Sequence, residues 1–233
     1  MAYPAQEKPE IKAVVVDVDG TITDMKRRVS IDAIQAIREM PIPVIIATGN
    51  VICFVRAAAK LLGASDIMIG ENGGVILMAY DAEAMVLGDI ERCKDAEKML
   101  EEHFPELHPL DKTYRKSELA FRRNIDLYKA NVLIEQHFPD LELVDTKFAI
   151  HLKQKKVNKG MAIEKIAELM GLKPENFAAM GDSANDIHMF SVAGVKIAVG
   201  NAVPELIESA DYVTKEKYGE GGAEGLRWLA RQL

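Results

Sequence analysis

The sequence predicts an α/β protein: a parallel sheet covered by helices on both faces, carrying a smaller α+β insert. Three observations predict it. The apolar runs at residues 11–16, 44–47, 177–180 and 197–199 are continuous, not alternating, as in strands buried on both faces. Helical segments lie between these runs, and that alternation implies an open sheet. Between about residues 83 and 154 the rhythm changes to short strands and charged helices. The expected division is therefore 1–82 and 155–233 for the core, and 83–154 for the insert.

The elements follow in order. The first strand runs into Asp17. Ser30 is placed to cap a helix through Arg38, stopped by Pro41-Ile42-Pro43. The strand at 44–47 ends in Thr48-Gly49-Asn50, where Asn50 is expected to cap a helix through Leu62 that Gly63 stops. Glu71-Asn72-Gly73-Gly74 reads first as a turn between two strands and second as a segment that also faces the pocket. The insert is expected to hold helices at 91–103 and 127–138 and strands near 119–121, 141–144 and 148–152. Asn158 opens a helix whose apolar positions Ile163, Ile166, Ala167 and Met170 fall at helical spacing before Gly171. Hinges are expected at 80–84 and 154–158, where the two parts join.

Composition narrows the function. The chain has 233 residues and a formal net charge of −7. A general nucleic-acid binder would carry a basic face, so the charge argues against that class. An anionic substrate is allowed where local cations overcome the global field. No apolar run is long enough to span a bilayer, and residues 1–8 lack a secretory leader pattern. Cys53 and Cys93 lie far apart and form no paired motif. A cytoplasmic location is expected, and a homodimer is compatible with the chain.

The chemistry lies at the strand ends, which an open α/β sheet gathers on one edge. Asp17 and Asp19 stand one residue apart after an apolar run, followed by Gly20 and Thr21. Two carboxylates so close repel unless a cation or a proton intervenes. An ionised Asp is a competent nucleophile toward phosphorus, and a second carboxyl can pass a proton. A calcium loop fails, because the position that needs Glu is Arg28. Thr48 and Gly49 offer a hydroxyl and backbone N–H groups to an anion. Lys159 sits in the first turn of a helix, where the macrodipole disfavours a cation unless a phosphate reverses the sign. Gly181-Asp182-Ser183-Ala184-Asn185-Asp186 supplies two carboxylates four apart, hard ligands that suit Mg²⁺. The tail at 219–224 is not a dinucleotide loop, since Glu224 takes the place of its last glycine.

Taken together these segments resemble the haloacid dehalogenase-type phosphohydrolases. Asp17-Val18-Asp19-Gly20-Thr21, Thr48-Gly49, Lys159 and 181–186 match the family's four motif regions in order. The insert between the second and third motifs is similar to the large α+β cap of one subgroup, which includes sugar-phosphate phosphatases. A narrower resemblance, to archaeal-type phosphoglycolate phosphatases, rests on 47–50, 148–151, 211–214 and 218–224. The broader capped group usually has Arg where Asn50 stands, which favours the narrower match.

The resemblance implies a Rossmann-like three-layer core, Mg²⁺ as cofactor and a small phosphorylated metabolite as substrate. It implies that Asp17 is nucleophile and metal ligand, and Asp19 general acid/base with its carbonyl on the metal. Thr48, Gly49 and Lys159 would bind the phosphoryl group; Asp182 and Asp186 would complete or orient the metal site. A carboxylate-bearing substrate would need a cation from the insert, for which Lys112, Arg115, Lys116, Arg122 and Arg123 are candidates.

Overall fold

The computed structural model describes residues 9–233; residues 1–8, read above as lacking a leader, lie outside them. The first part of the chain forms β1 (Ala13–Asp17), α1 (Ile31–Glu39), β2 (Val44–Ala47), α2 (Ile52–Leu62), β3 (Met68–Gly70), β4 (Val75–Leu77) and β5 (Met85–Val86). The insert follows as α3 (Ile90–His103), β6 (Pro109–Leu110), β7 (Leu119–Phe121), α4 (Leu127–His137), β8 (Leu141–Asp145) and β9 (Ile150–Gln154). The chain returns through α5 (Lys159–Met170), β10 (Phe177–Gly181), α6 (Ile187–Val192), β11 (Val195–Ala198), α7 (Pro204–Ser209), β12 (Tyr212–Val213) and α8 (Tyr218–Ala230).

Eight strands form one sheet in the order β12-β11-β10-β1-β2-β3-β4-β5. The six from β12 to β3 are parallel, and β1 lies between β2 and β10. Along β1, Val14 and Val16 pack with Ile37, Val55 and Leu226. Ala13 and Val15 pack on the other face with Ile163, Ile166 and Phe190. Alternate residues of one strand thus feed two cores, which is why the run is apolar throughout. The result is three layers.

The sheet departs from the expected parallel pattern at one edge. β4 runs antiparallel to both its neighbours, β3 and β5, and the turn at 71–74 that joins it to β3 is far too short for a crossover helix. β5 also moves the boundary: Met85 and Val86, assigned to the insert by the sequence, pair with β4 in the large sheet. The first crossing to the insert therefore follows residue 86, not the 80–84 stretch.

The insert has its own antiparallel sheet, β6-β7-β9-β8. Its core joins Cys93, Leu100 and Ile134 from the helices to Phe121, Leu143 and Leu152 from the strands. Asp89 caps α3 and Asp126 caps α4 through backbone N–H groups. Cys93 is buried and Cys53 exposed, and burial pushes the Cys93 thiol up to about 12. Among the described residues no helix is long and apolar enough to cross a membrane.

Two expected caps differ in detail. Ser30 stands at the N-cap of α1, but its hydroxyl donates to Glu220 Oε1 at 3.2 Å and caps nothing. Asn50 is not the cap of α2; Val51 holds that place, because the Asn50 amide is engaged in the site described next. Asn158 does cap α5, accepting from the Met161 N–H at 3.0 Å.

Candidate active site

The carboxyl ends of β1, β2 and β10 meet beneath the insert, around a small polar cleft lined by Asp17, Asp19, Thr48, Arg115 and Asn185. Asp17 closes β1 and is buried. Its Oδ1 accepts from Lys159 Nζ at 2.5 Å. Its Oδ2, though buried, has no hydrogen-bond partner. Burial first, and then the charges of Asp186 and Asp182, push its pKa well up, with Lys159 opposing them. Asp17, Asp182 and Asp186 each present an oxygen within 4.8 Å of the others. That orphaned oxygen and the clustered carboxylates fit a hard divalent cation.

The other members have distinct surroundings. Lys159, expected at a helix start and fully buried in fact, also donates to Asp186 Oδ1 at 2.6 Å. Burial alone would lower its pKa, but Asp17 and Asp186 more than reverse this and raise it. The dipole penalty at the helix start is thus offset by two carboxylates, not by a phosphate alone. Asp186 Oδ2 accepts the Asp182 and Ser183 N–H groups, both at 3.0 Å, so protein donors hold both of its oxygens. Burial and then Asp186 push Asp182 up to about 7. Gly20, at φ 94°, is required here: a Cβ would lie 2.7 Å from Asp182 Oδ2.

Asp19 lines the same cleft but takes its hydrogen bonds from other residues. Its carboxylate receives Arg27 Nε and Nη2 at 2.8 and 3.0 Å, and Asn50 Nδ2 at 3.0 Å. Asn50 Nδ2 and the Asn50 N–H also donate to Thr48 Oγ1, at 2.9 and 3.2 Å. With its lone pairs engaged, the Thr48 hydroxyl has its proton to give to a ligand. Gly49 is closely approached by the insert and by the 71–74 turn, since a Cβ would sit 2.9 Å from His151 Cε1 and 3.0 Å from Asn72 Nδ2.

The insert closes the cleft through one buried network. Glu118 Oε1 receives Arg115 Nη1 and His151 Nδ1, each at 2.7 Å, and Asn72 Nδ2 reaches Glu118 Oε2 at 3.0 Å. Burial works to raise Glu118, but His151 and Arg115 together hold it low. Arg115 Nη1 also donates to the Gly49 carbonyl at 3.2 Å. Glu71 accepts the Lys116 and Ser117 N–H groups and the Ser117 hydroxyl, and burial raises its pKa. The turn at 71–74 is therefore a turn and also the core's grip on the insert.

Of the five cations expected to select substrate, Arg115 alone lines the cleft. Lys112 pairs with Glu97 and Arg123 with Asp145, while Lys116 and Arg122 lie outside the lining. Sequence reasoning missed Arg27 and Glu118 as parts of the site, and ranked the turn role of Asn72 above a pocket-facing one. A lone Glu abutting the apolar 119–121 run was the available signal for Glu118.

The haloacid dehalogenase-like hydrolase family model matches residues 14–108 and 95–226. The chain belongs to the haloacid dehalogenase-like hydrolase family. It is 50% identical to a phosphoglycolate phosphatase of Archaeoglobus fulgidus over 94% of this chain and 96% of that one. A phosphoglycolate phosphatase of Methanosarcina mazei is 44% identical over 94% of this chain and 97% of its own. Among solved structures, a crystal structure of the Thermoplasma acidophilum protein 0175 superimposes with a TM-score of 0.84 at 26% identity, covering 96% of this chain and all of that one.

Proposed function

We propose that the chain is a Mg²⁺-dependent phosphomonoesterase that converts 2-phosphoglycolate to glycolate and phosphate through an aspartyl-phosphate. The observation that carries the chemistry is Asp17 Oδ2, a buried carboxylate oxygen with no partner at the floor of the cleft. The names of the relatives support the substrate.

In this reading Asp17 Oδ2 attacks phosphorus, and the ester P–O bond breaks. The leaving oxygen takes a proton from Asp19. Asp19 then takes a proton from water, whose oxygen attacks phosphorus as the Asp17–phosphorus bond breaks and phosphate departs. Lys159 keeps one N–H after serving Asp17 and Asp186, and it and Thr48 hold the transferring oxygens. Asp17 and Asp182 would hold the cation with the Asp19 carbonyl, and Asp186 would orient them. Bound there, Mg²⁺ neutralises charge on the phosphoryl oxygens. The insert excludes water while the phosphoenzyme exists.

The test compares kcat/KM for 2-phosphoglycolate with hexose and pentose phosphates, with and without Mg²⁺. A preference for 2-phosphoglycolate above about tenfold supports the assignment, and the reverse preference assigns a sugar-phosphate phosphatase. Phosphate release lost in Asp17→Asn, by roughly 10³-fold or more, supports the nucleophile; retained release rejects it.

A further inference from the structure

We propose that Arg27 is the receptor for the substrate's carboxylate, which replaces the Asp19 carboxylate on the Arg27 guanidinium and so releases Asp19 for proton transfer. This rests on the substrate and mechanism given above.

The turn that carries Arg27 is built to present it. Asp24 accepts the Lys26 and Arg28 N–H groups at 2.8 and 3.0 Å, and the Arg27 N–H donates to the Asp24 carbonyl at 2.9 Å. Thr23 and Val29 pair across the turn's base. Arg27 itself sits at φ 61°, a conformation glycine adopts with less strain. A long cationic side chain at such a position points to use of the side chain.

The geometry of the Asp19 pair is a two-point fork, Nε to Oδ1 at 2.8 Å and Nη2 to Oδ2 at 3.0 Å. Any carboxylate matches that fork, whereas a sugar hydroxyl offers a single, uncharged acceptor. Exchange of one carboxylate for another keeps both hydrogen bonds, so little is lost in the handover. Arg27 lines the same cleft as Asp17 and Thr48. Its Cζ lies 5.6 Å from the centre of the Phe148 ring, so the insert bears on the same guanidinium.

Two other cations of the site have fixed duties. Lys159 serves Asp17 and Asp186. Arg115 is buried against Glu118 and ties the insert to the Gly49 carbonyl. Lys147 lies 3.8 Å from Asp182. Arg27 differs in that its partner carboxylate is the group the reaction needs unpaired.

The experiment uses two esters of one skeleton, 2-phosphoglycolate and 2-hydroxyethyl phosphate, with the full-length protein and its Arg27→Met and Arg27→Lys variants. In Arg27→Met, kcat/KM for 2-phosphoglycolate is expected to fall about 30-fold or more, while that for 2-hydroxyethyl phosphate rises. Arg27→Lys, which keeps charge without the fork, falls in between. Binding of the non-hydrolysable 3-phosphonopropanoate is expected to weaken in step with the loss on 2-phosphoglycolate. A parallel fall on both esters, or no change on either, overturns the assignment. A wild-type protein indifferent to the two esters overturns the substrate reading instead, before any variant is compared.

Discussion

Two buried carboxylate clusters face each other across the cleft, and they are balanced in opposite ways. On the core side, three aspartates cluster, two of them share one buried lysine, and one oxygen is left without a partner. On the insert side, one glutamate receives an arginine, a histidine and an amide. An unsatisfied cluster in low dielectric attracts whatever neutralises it, whereas a satisfied one holds its parts in register. The first arrangement suits a place where ligands bind and react. The second suits a clasp.

The comparison breaks most readily at Lys159. Lys159→Met leaves Asp17 and Asp186 without their cation, and a loss of about 3–5 kcal/mol is expected in metal-free urea unfolding. A second change, Asp186→Asn, should recover part of it; wild-type stability in Lys159→Met would show that the cluster is not strained by charge.

Adding Mg²⁺ should act in the same direction on the wild-type protein. At about one hundred times its dissociation constant the ion stabilises by about 2.7 kcal/mol. The pH dependence has a definite sign. Without the ion Asp182 titrates near 7 instead of its ordinary 3.8, so the folded chain keeps a proton that the unfolded chain releases. Metal-free stability therefore falls as pH rises from about 4 to 7. Protons compete with the ion, so the thermal shift on adding Mg²⁺ should be larger near about pH 8 than near about pH 5. Equal shifts would place the ion elsewhere.

The insert-side cluster should respond more mildly. Glu118→Gln keeps the shape but loses the charge that Arg115 and His151 share, at a cost of about 2 kcal/mol. Hydrogen exchange at 115–118 should rise, and KM should increase more than kcat falls. Gly49→Ala should cost about 1 kcal/mol, because His151 is fixed by Glu118 and yields little to a new methyl group; calorimetric melting checks it.

The same contrast explains what was legible in the sequence. The core strands are continuous apolar runs that end in chemistry, so their burial and polarity are both local signals. Lys159 was found by its position, but its burial was not, because Asp17 and Asp186 reach it from distant parts of the chain. Asn50 was misread as a cap because an Asx residue before a helix is usually one, and its true partners, Asp19 and Arg27, come from another loop. β5 is two residues long, too short for any periodicity. Glu118, Asn72 and His151 form their network between residues far apart in sequence, and no spacing rule brings them together.

The place of β1 in the sheet bears on how the chain comes into being. One neighbour, β2, follows soon after it, but the other, β10, begins only at Phe177. The insert, by contrast, is one unbroken stretch from α3 to β9. As the polypeptide emerges from the ribosome, all the strands of the insert are available before β1 can acquire its second partner. The strand that carries Asp17 is made first, yet its second partner is made only after every strand of the insert.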